Sequence, residues 1–82
     1  SNMELKNIGM AIKKCRKQNR LTLRDVSSVA GIDKSHLSRI EQGIYIPQID
    51  TFAKIAYALN IHPSKLMKMA EDMDSQNKKY PQ

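Results

Sequence analysis

The sequence predicts an all-α domain of five helices. Apolar residues recur with a period near 3.6 along the whole chain, and no strand-like alternation of useful length occurs. The second and third stripes open behind capping residues, Thr22 and Asp33. The three glycines and three prolines are few for 82 residues, and most fall where helices begin or end.

The first helix is expected from about Glu4 to Gln18. Leu5, Ile8, Ile12 and Cys15 form one stripe at i, i+3, i+4 spacing, and Lys6, Lys13, Lys14, Arg16, Lys17 and Arg20 fill the remainder. The second helix starts at Thr22. A threonine N-cap followed three residues later by Asp25 makes a capping-box-like pair. Leu21 and Val26 stand at staple positions around it. Val26, Val29 and Ala30 form the apolar side, and Gly31 supplies a left-handed stop. Asp33 caps the third helix, with Ile32 and Leu37 as its staple, and Gly43 closes it after Gln42. The fourth spans about Ile49 to Leu59, with Ile49, Phe52, Ile55, Ala56 and Leu59 inward and Asn60 able to take the left-handed end. The fifth starts at Pro63, a favoured first helical position, and runs to about Met73, with Ile61 and Leu66 as its staple.

The chain is one domain of residues 3–74. Ser1 and Asn2, ahead of Met3, read as an expression remnant, and residues 75–82 as a polar tail expected to fray. A chain of this size buries roughly 60–65% of its unfolded surface, enough for one modest core and too little for a deep substrate pocket. No apolar run reaches membrane-spanning length and no signal segment is visible, so no membrane partner and a cytoplasmic location are expected. Cys15 is the only cysteine. It excludes an internal disulfide and reads as a small buried hydrophobe. His36 and His62 read as surface or capping residues, with no third ligand near them. No metal and no cofactor are expected, and with neither a phosphate-binding glycine loop nor a nucleophile–base pair the chain is not read as an enzyme.

Fourteen Lys and Arg against eight Asp and Glu give a formal charge of +6. A small basic domain of this kind is most often a nucleic-acid binder. The excess is uneven. Residues 1–20 carry six positive charges and one negative, whereas residues 21–63 carry four of each.

The stretch from Leu21 to Leu59, LTLRDVSSVAGIDKSHLSRIEQGIYIPQIDTFAKIAYAL, holds a cap, a short helix, a glycine turn and a second short helix. Only Gly31 and Ile32 separate Ala30 from the Asp33 cap, so the two helices must cross steeply. At about 100° per residue, Leu37 and Ile40 set the buried side of helix three, and Ser35, Ser38, Arg39 and Gln42 point away from it. Lys34 sits at the first helical position. The pattern LT...V..AGI..SHLSRIEQG....P...T...IA.AL.I resembles the Xre-like regulators of the phage-repressor and Cro type, through helix five. That resemblance implies a five-helix phage-repressor-like DNA-binding domain with its helix-turn-helix at helices two and three. It also implies sequence-specific binding of double-stranded DNA by a transcriptional regulator, a repressor acting as a homodimer on a palindromic operator. Lys34, Ser35, Ser38 and Arg39 match the usual base-reading positions, and Gln42 shares their face. Arg39 suits guanine O6 and N7.

Phosphate contacts are expected from free backbone N–H groups at the starts of helices two and four, with Thr22 and Leu23 at the first. Lys13, Lys17, Arg20 and Tyr45 are further candidates. The resemblance also implies a structural ion pair, Arg16 with Glu41, tying helix one to helix three. Two departures from the family stand out: Leu23 replaces a polar residue, often glutamine, and the loop Ile44-Tyr45-Ile46-Pro47 carries no Lys or Arg. Ile44 and Ile46 are instead candidates for packing against a partner subunit. Leu66, Met69, Ala70 and Met73 line one side of helix five and are expected to form a dimer interface. An alternative class is a protein-partner-binding module such as an antitoxin, held through helix five or the tail.

Overall fold

The computed structural model describes residues 6–75, and side chains over residues 6–73. The expression remnant, Glu4, Leu5 and the tail from residue 76 lie outside the described residues. Five helices follow one another: α1 Lys6–Gln18, α2 Leu23–Ala30, α3 Lys34–Glu41, α4 Ile49–Ala58 and α5 Pro63–Ser75. α5 runs two residues past the expected Met73, within the ordinary uncertainty of a helix end. α1 packs on α3 and α5, α2 on α3 and α4, and α4 on α5.

Every helix contributes to one core. Ile12, Val26, Leu37, Ile40, Ile55 and Leu66 are its largest fully buried side chains. Cys15 is buried with them, and burial pushes its thiol pKa above the ordinary value, which keeps it protonated and unreactive. Two residues expected inside are not there. Val29 is exposed, and Ile49 keeps 88% of its surface. Val29 leans off the α2 stripe, where Ser27 faces inward instead, its hydroxyl donating to the Arg24 carbonyl at 3.3 Å. Ile49 is the first residue of α4 and stays outside the core.

Four helices close in the same way. After each, a residue with positive φ lets the next N–H reach back to the carbonyl five positions earlier. Gly31 (φ 72°), Gly43 (φ 81°) and Asn60 (φ 57°) do this after α2, α3 and α4. Ile32, Ile44 and Ile61 then donate to Ser27, Arg39 and Ala56 at 3.1, 2.9 and 3.0 Å. Arg20 (φ 58°) takes the same role after α1, with Leu21 N–H donating to the Arg16 carbonyl at 3.1 Å. No sequence signal marks Arg20, because arginine has no preference for that conformation.

Gly9 is equally silent in the sequence. A Cβ there would collide with the carbonyl oxygen of Ile40, so glycine lets α1 lie directly against the end of α3.

Candidate nucleic-acid interface

α2, the Gly31–Asp33 turn and α3 form a helix-turn-helix. The α2 start is built locally: the Thr22 hydroxyl accepts from Asp25 N–H at 3.0 Å, and the Asp25 carboxylate accepts from Thr22 N–H at 2.8 Å. α3 has no such device. Asp33 occupies the N-cap position with extended backbone, yet its side chain makes no capping bond.

α3 is fixed from its inner flank. Leu37 and Ile40 are fully buried, and Glu41 is 7% exposed. Glu41 receives a fork from Arg16, Nε to Oε2 at 2.7 Å and Nη2 to Oε1 at 3.0 Å, while Nη1 of the same guanidinium donates to the Leu21 carbonyl at 2.9 Å. The bond to Glu41 holds the Arg16 pKa above its ordinary value against the opposing effect of burial. One buried arginine thus ties the end of α1 to both the α1–α2 turn and the last turn of α3.

The outer flank carries the expected reading residues. Lys34, Ser35, Arg39 and Gln42 are exposed, and Ser38 is half-buried between them. Gln42 Nε2 donates to the Ser38 hydroxyl at 3.1 Å and the Ser38 carbonyl at 3.2 Å, so these two side chains act as one linked unit. Among the described residues, Lys34 and Arg39 join no ion pair. Their cationic heads are available to a ligand. Tyr45 lies against α3 rather than standing apart: its ring sits 5.6 Å from the half-buried His36 ring, tilted by 40°.

The expected phosphate set is reshaped. The Thr22 backbone N–H is already committed to Asp25, so it cannot serve as a free donor. That bond and the partnered Thr22 hydroxyl hold the Asp25 carboxyl below the usual carboxylate range, leaving a negative charge at the same helix start. Leu23 turns its side chain onto the core, which leaves its backbone N–H as the group it can offer. At the α4 start, Gln48 makes no side-chain cap and the exposed Asp50 stands in the first turn. Lys13, Lys17 and Arg20 are exposed. The two lysines line a groove of about 420 Å³ with Met10, Lys14, Glu41 and Met73, flanking the C-terminal end of α3.

The expected helix-five interface needs correction. Leu66 and Ala70 are 0% and 1% exposed. They fill the core beneath α5 and have no surface to give a second subunit. Met69 and Met73 are half-buried against the same core. The large exposed apolar side chains lie elsewhere, on Met10, Val29, Ile44, Tyr45, Ile46, Ile49 and Tyr57. Among the described residues, no group of three His, Cys, Asp or Glu side chains could hold a metal ion, and no helix is long and apolar enough to cross a membrane.

Comparison with known proteins agrees with this geometry. A helix-turn-helix family model matches residues 12–66. The ImmF control region 10 kDa protein of Bacillus phage phi105 is 33% identical over 66 residues, an alignment covering 80% of this chain and 72% of the relative. The immunity repressor of the same phage is 33% identical over 60 residues, covering 73% of this chain and 42% of the repressor. Among solved structures, the restriction-modification controller protein C.AhdI from Aeromonas hydrophila superposes with a TM-score of 0.73 at 26% identity, over 76% of this chain and 94% of that one. The clp gene regulator ClgR from Corynebacterium glutamicum shares the fold, with a TM-score of 0.82 at 20% identity over 88% of this chain and 95% of its own. The chain belongs to the Xre-like helix-turn-helix family of DNA-binding transcriptional regulators.

Proposed function

We propose that this family member is a cytoplasmic repressor that binds a palindromic operator as a homodimer and blocks transcription by occupying it. α3 enters the major groove, which is wide enough to admit a helix. Arg39 and Lys34 read guanine edges, Ser35 allows close approach, and the Ser38–Gln42 unit presents a fixed amide to a neighbouring base. Lys13, Lys17, Arg20, Tyr45, the Thr22 hydroxyl and the Leu23 backbone N–H neutralise or bind phosphates. The observation that carries this reading is the contrast across α3. Its inner flank is sealed by the core and the Arg16–Glu41 fork, and its outer flank offers two uncommitted cations. The name of the phi105 immunity repressor supports the repressive sign.

Selecting bound duplexes from a random pool tests site symmetry and half-site spacing, expected at about 10 bp. Arg39→Ala should then cost about 1–3 kcal/mol on the selected operator and relax discrimination at one base. Equal weakening on operator and random DNA would move Arg39 from base reading to phosphate binding. Replacing Lys13 or Lys17 by alanine should weaken binding to all duplexes alike and reduce the salt slope by about 0.9 per lost contact.

A further inference from the structure

The loop after α3 hangs from α3 itself. The Ile44 and Tyr45 N–H groups both donate to the Arg39 carbonyl, at 2.9 and 3.4 Å. The Tyr45 ring then lies on the half-buried His36 ring, with centroids 5.6 Å apart and planes tilted by 40°. That is within the range where aromatic rings attract one another. His36 and Arg39 are three residues apart, so they adjoin on the helix surface. Arg39 is therefore both an outward cation of α3 and the backbone post of the loop, and its neighbour holds the loop's ring. Tyr45 still keeps 49% of its surface. From Ile44 to Pro47 it is the single side chain able to hydrogen-bond, and among the described residues its hydroxyl has no partner.

We propose that His36 is a positioning residue for DNA. It touches neither base nor phosphate, and acts by holding Tyr45 so that the phenol hydroxyl is fixed for a phosphodiester oxygen. This rests on the phosphate role given to Tyr45 above. A loop tyrosine left free would have to freeze its side-chain torsions on binding, at a cost in entropy. The ring contact with His36 freezes them beforehand. The same anchor couples phosphate to base. Phosphate contacts set how a protein sits on the duplex. Because the loop is bonded to the Arg39 carbonyl, a phosphate seated on Tyr45 fixes the register of the Arg39 side chain as well. A loop without Lys or Arg thus anchors α3 through a rigid, neutral donor.

Binding of the full chain to its selected duplex and to random duplex, measured by fluorescence anisotropy well below the melting temperature, tests this. Tyr45→Phe should weaken binding to both duplexes about tenfold. His36→Ala should weaken both about threefold, leave base discrimination intact and leave the salt slope unchanged, since a neutral donor releases no counterion. His36→Phe keeps a ring under Tyr45 and should restore the parent affinity, whereas His36→Gln should not. In the Tyr45→Phe background, His36→Ala should add little, because both changes act on one contact. Additive losses, or a salt slope reduced by about 0.9 in His36→Ala, would make His36 a phosphate contact in its own right and overturn the proposal. Lost discrimination at one base would overturn it too, by making His36 a reader. A His36→Phe variant no better than His36→Ala, or a His36→Ala variant that melts earlier yet binds like the parent, also overturns it. The underlying reading is judged separately. If Tyr45→Phe binds like the parent, the phosphate role of Tyr45 falls; if Tyr45→Phe weakens binding and His36→Ala does not, that role stands and the proposal falls.

Discussion

α2 and α3 are each eight residues long, each starts behind an oxygen-bearing side chain, and each is followed by a left-handed glycine. They are nevertheless held by different physics. α2 carries a complete reciprocal cap within four consecutive residues, so much of its start is specified locally. α3 has no side-chain cap and is anchored from outside, by Leu37 and Ile40 in the core, by the close approach of Gly9 and by the Arg16 fork on Glu41. The helix whose outer flank carries the two uncommitted cations, Lys34 and Arg39, is the one with the weaker local support. Its placement is decided by α1, which leaves its outer flank free of structural duty. A helix held this way can change its outward residues without disturbing the anchor.

The largest test of this contrast is Glu41→Ala. It strands the buried Arg16 guanidinium and should cost about 3–5 kcal/mol of stability, read from the denaturant midpoint. Arg16→Met combined with Glu41→Leu should cost far less, because the unpaired charge disappears. An unchanged midpoint in Glu41→Ala would mean that the pair does not hold α3. Next comes Gly9→Ala. Its Cβ meets the Ile40 carbonyl and should cost about 1–3 kcal/mol by pushing α1 off α3. An alanine accepted there without loss would show that the α1–α3 contact can slide.

The caps give smaller effects in a fixed order. Thr22→Ala should cost about 1 kcal/mol, and Asp33→Ala only a few tenths, since Asp33 makes no capping bond. The reverse order would break the comparison between the two helices. The smallest test is acid titration. The Asp25 carboxyl has a folded pKa below its ordinary value, so the unfolded chain binds the proton more readily. The contribution of Asp25 is complete above the ordinary carboxylate range and is lost as pH falls through its depressed folded value. Asp25→Asn should flatten that part of the stability profile, and a profile that keeps its slope would assign the acid loss to another group.

Much of the fold is legible in the sequence because helices are local objects. The Thr22–Asp25 box, the stops at Gly31, Gly43 and Asn60, and Pro63 at the head of α5 all act over a few residues. The outer face of α3 is legible for a similar reason, since Leu37 and Ile40 fix its rotation. The readings that failed concern which surface a neighbour covers. Ile49 fits the α4 stripe by period but stands exposed, outside the core. Leu66 and Ala70 fit an interface stripe equally well by period, yet the core takes them. Thr22 reads as a free N–H donor until the capping box it helps define consumes that group. Period identifies a stripe and is blind to what packs on it.

The sequence by itself determined five amphipathic helices, the Thr22–Asp25 cap, the stops at Gly31, Gly43 and Asn60, and the residues that share the free side of α3, because these follow from spacing within one or two helical turns. The tertiary structure alone decided that Gly9 is the contact point of α1 with α3, that Arg20 closes α1, and that α5 spends Leu66 and Ala70 inside while α4 leaves Ile49 and Tyr57 outside. The Gly9, Leu66, Ala70, Ile49 and Tyr57 outcomes depend on distances between segments far apart in the chain, which no local pattern encodes, whereas the Arg20 stop is local but carried by a residue type with no preference for it.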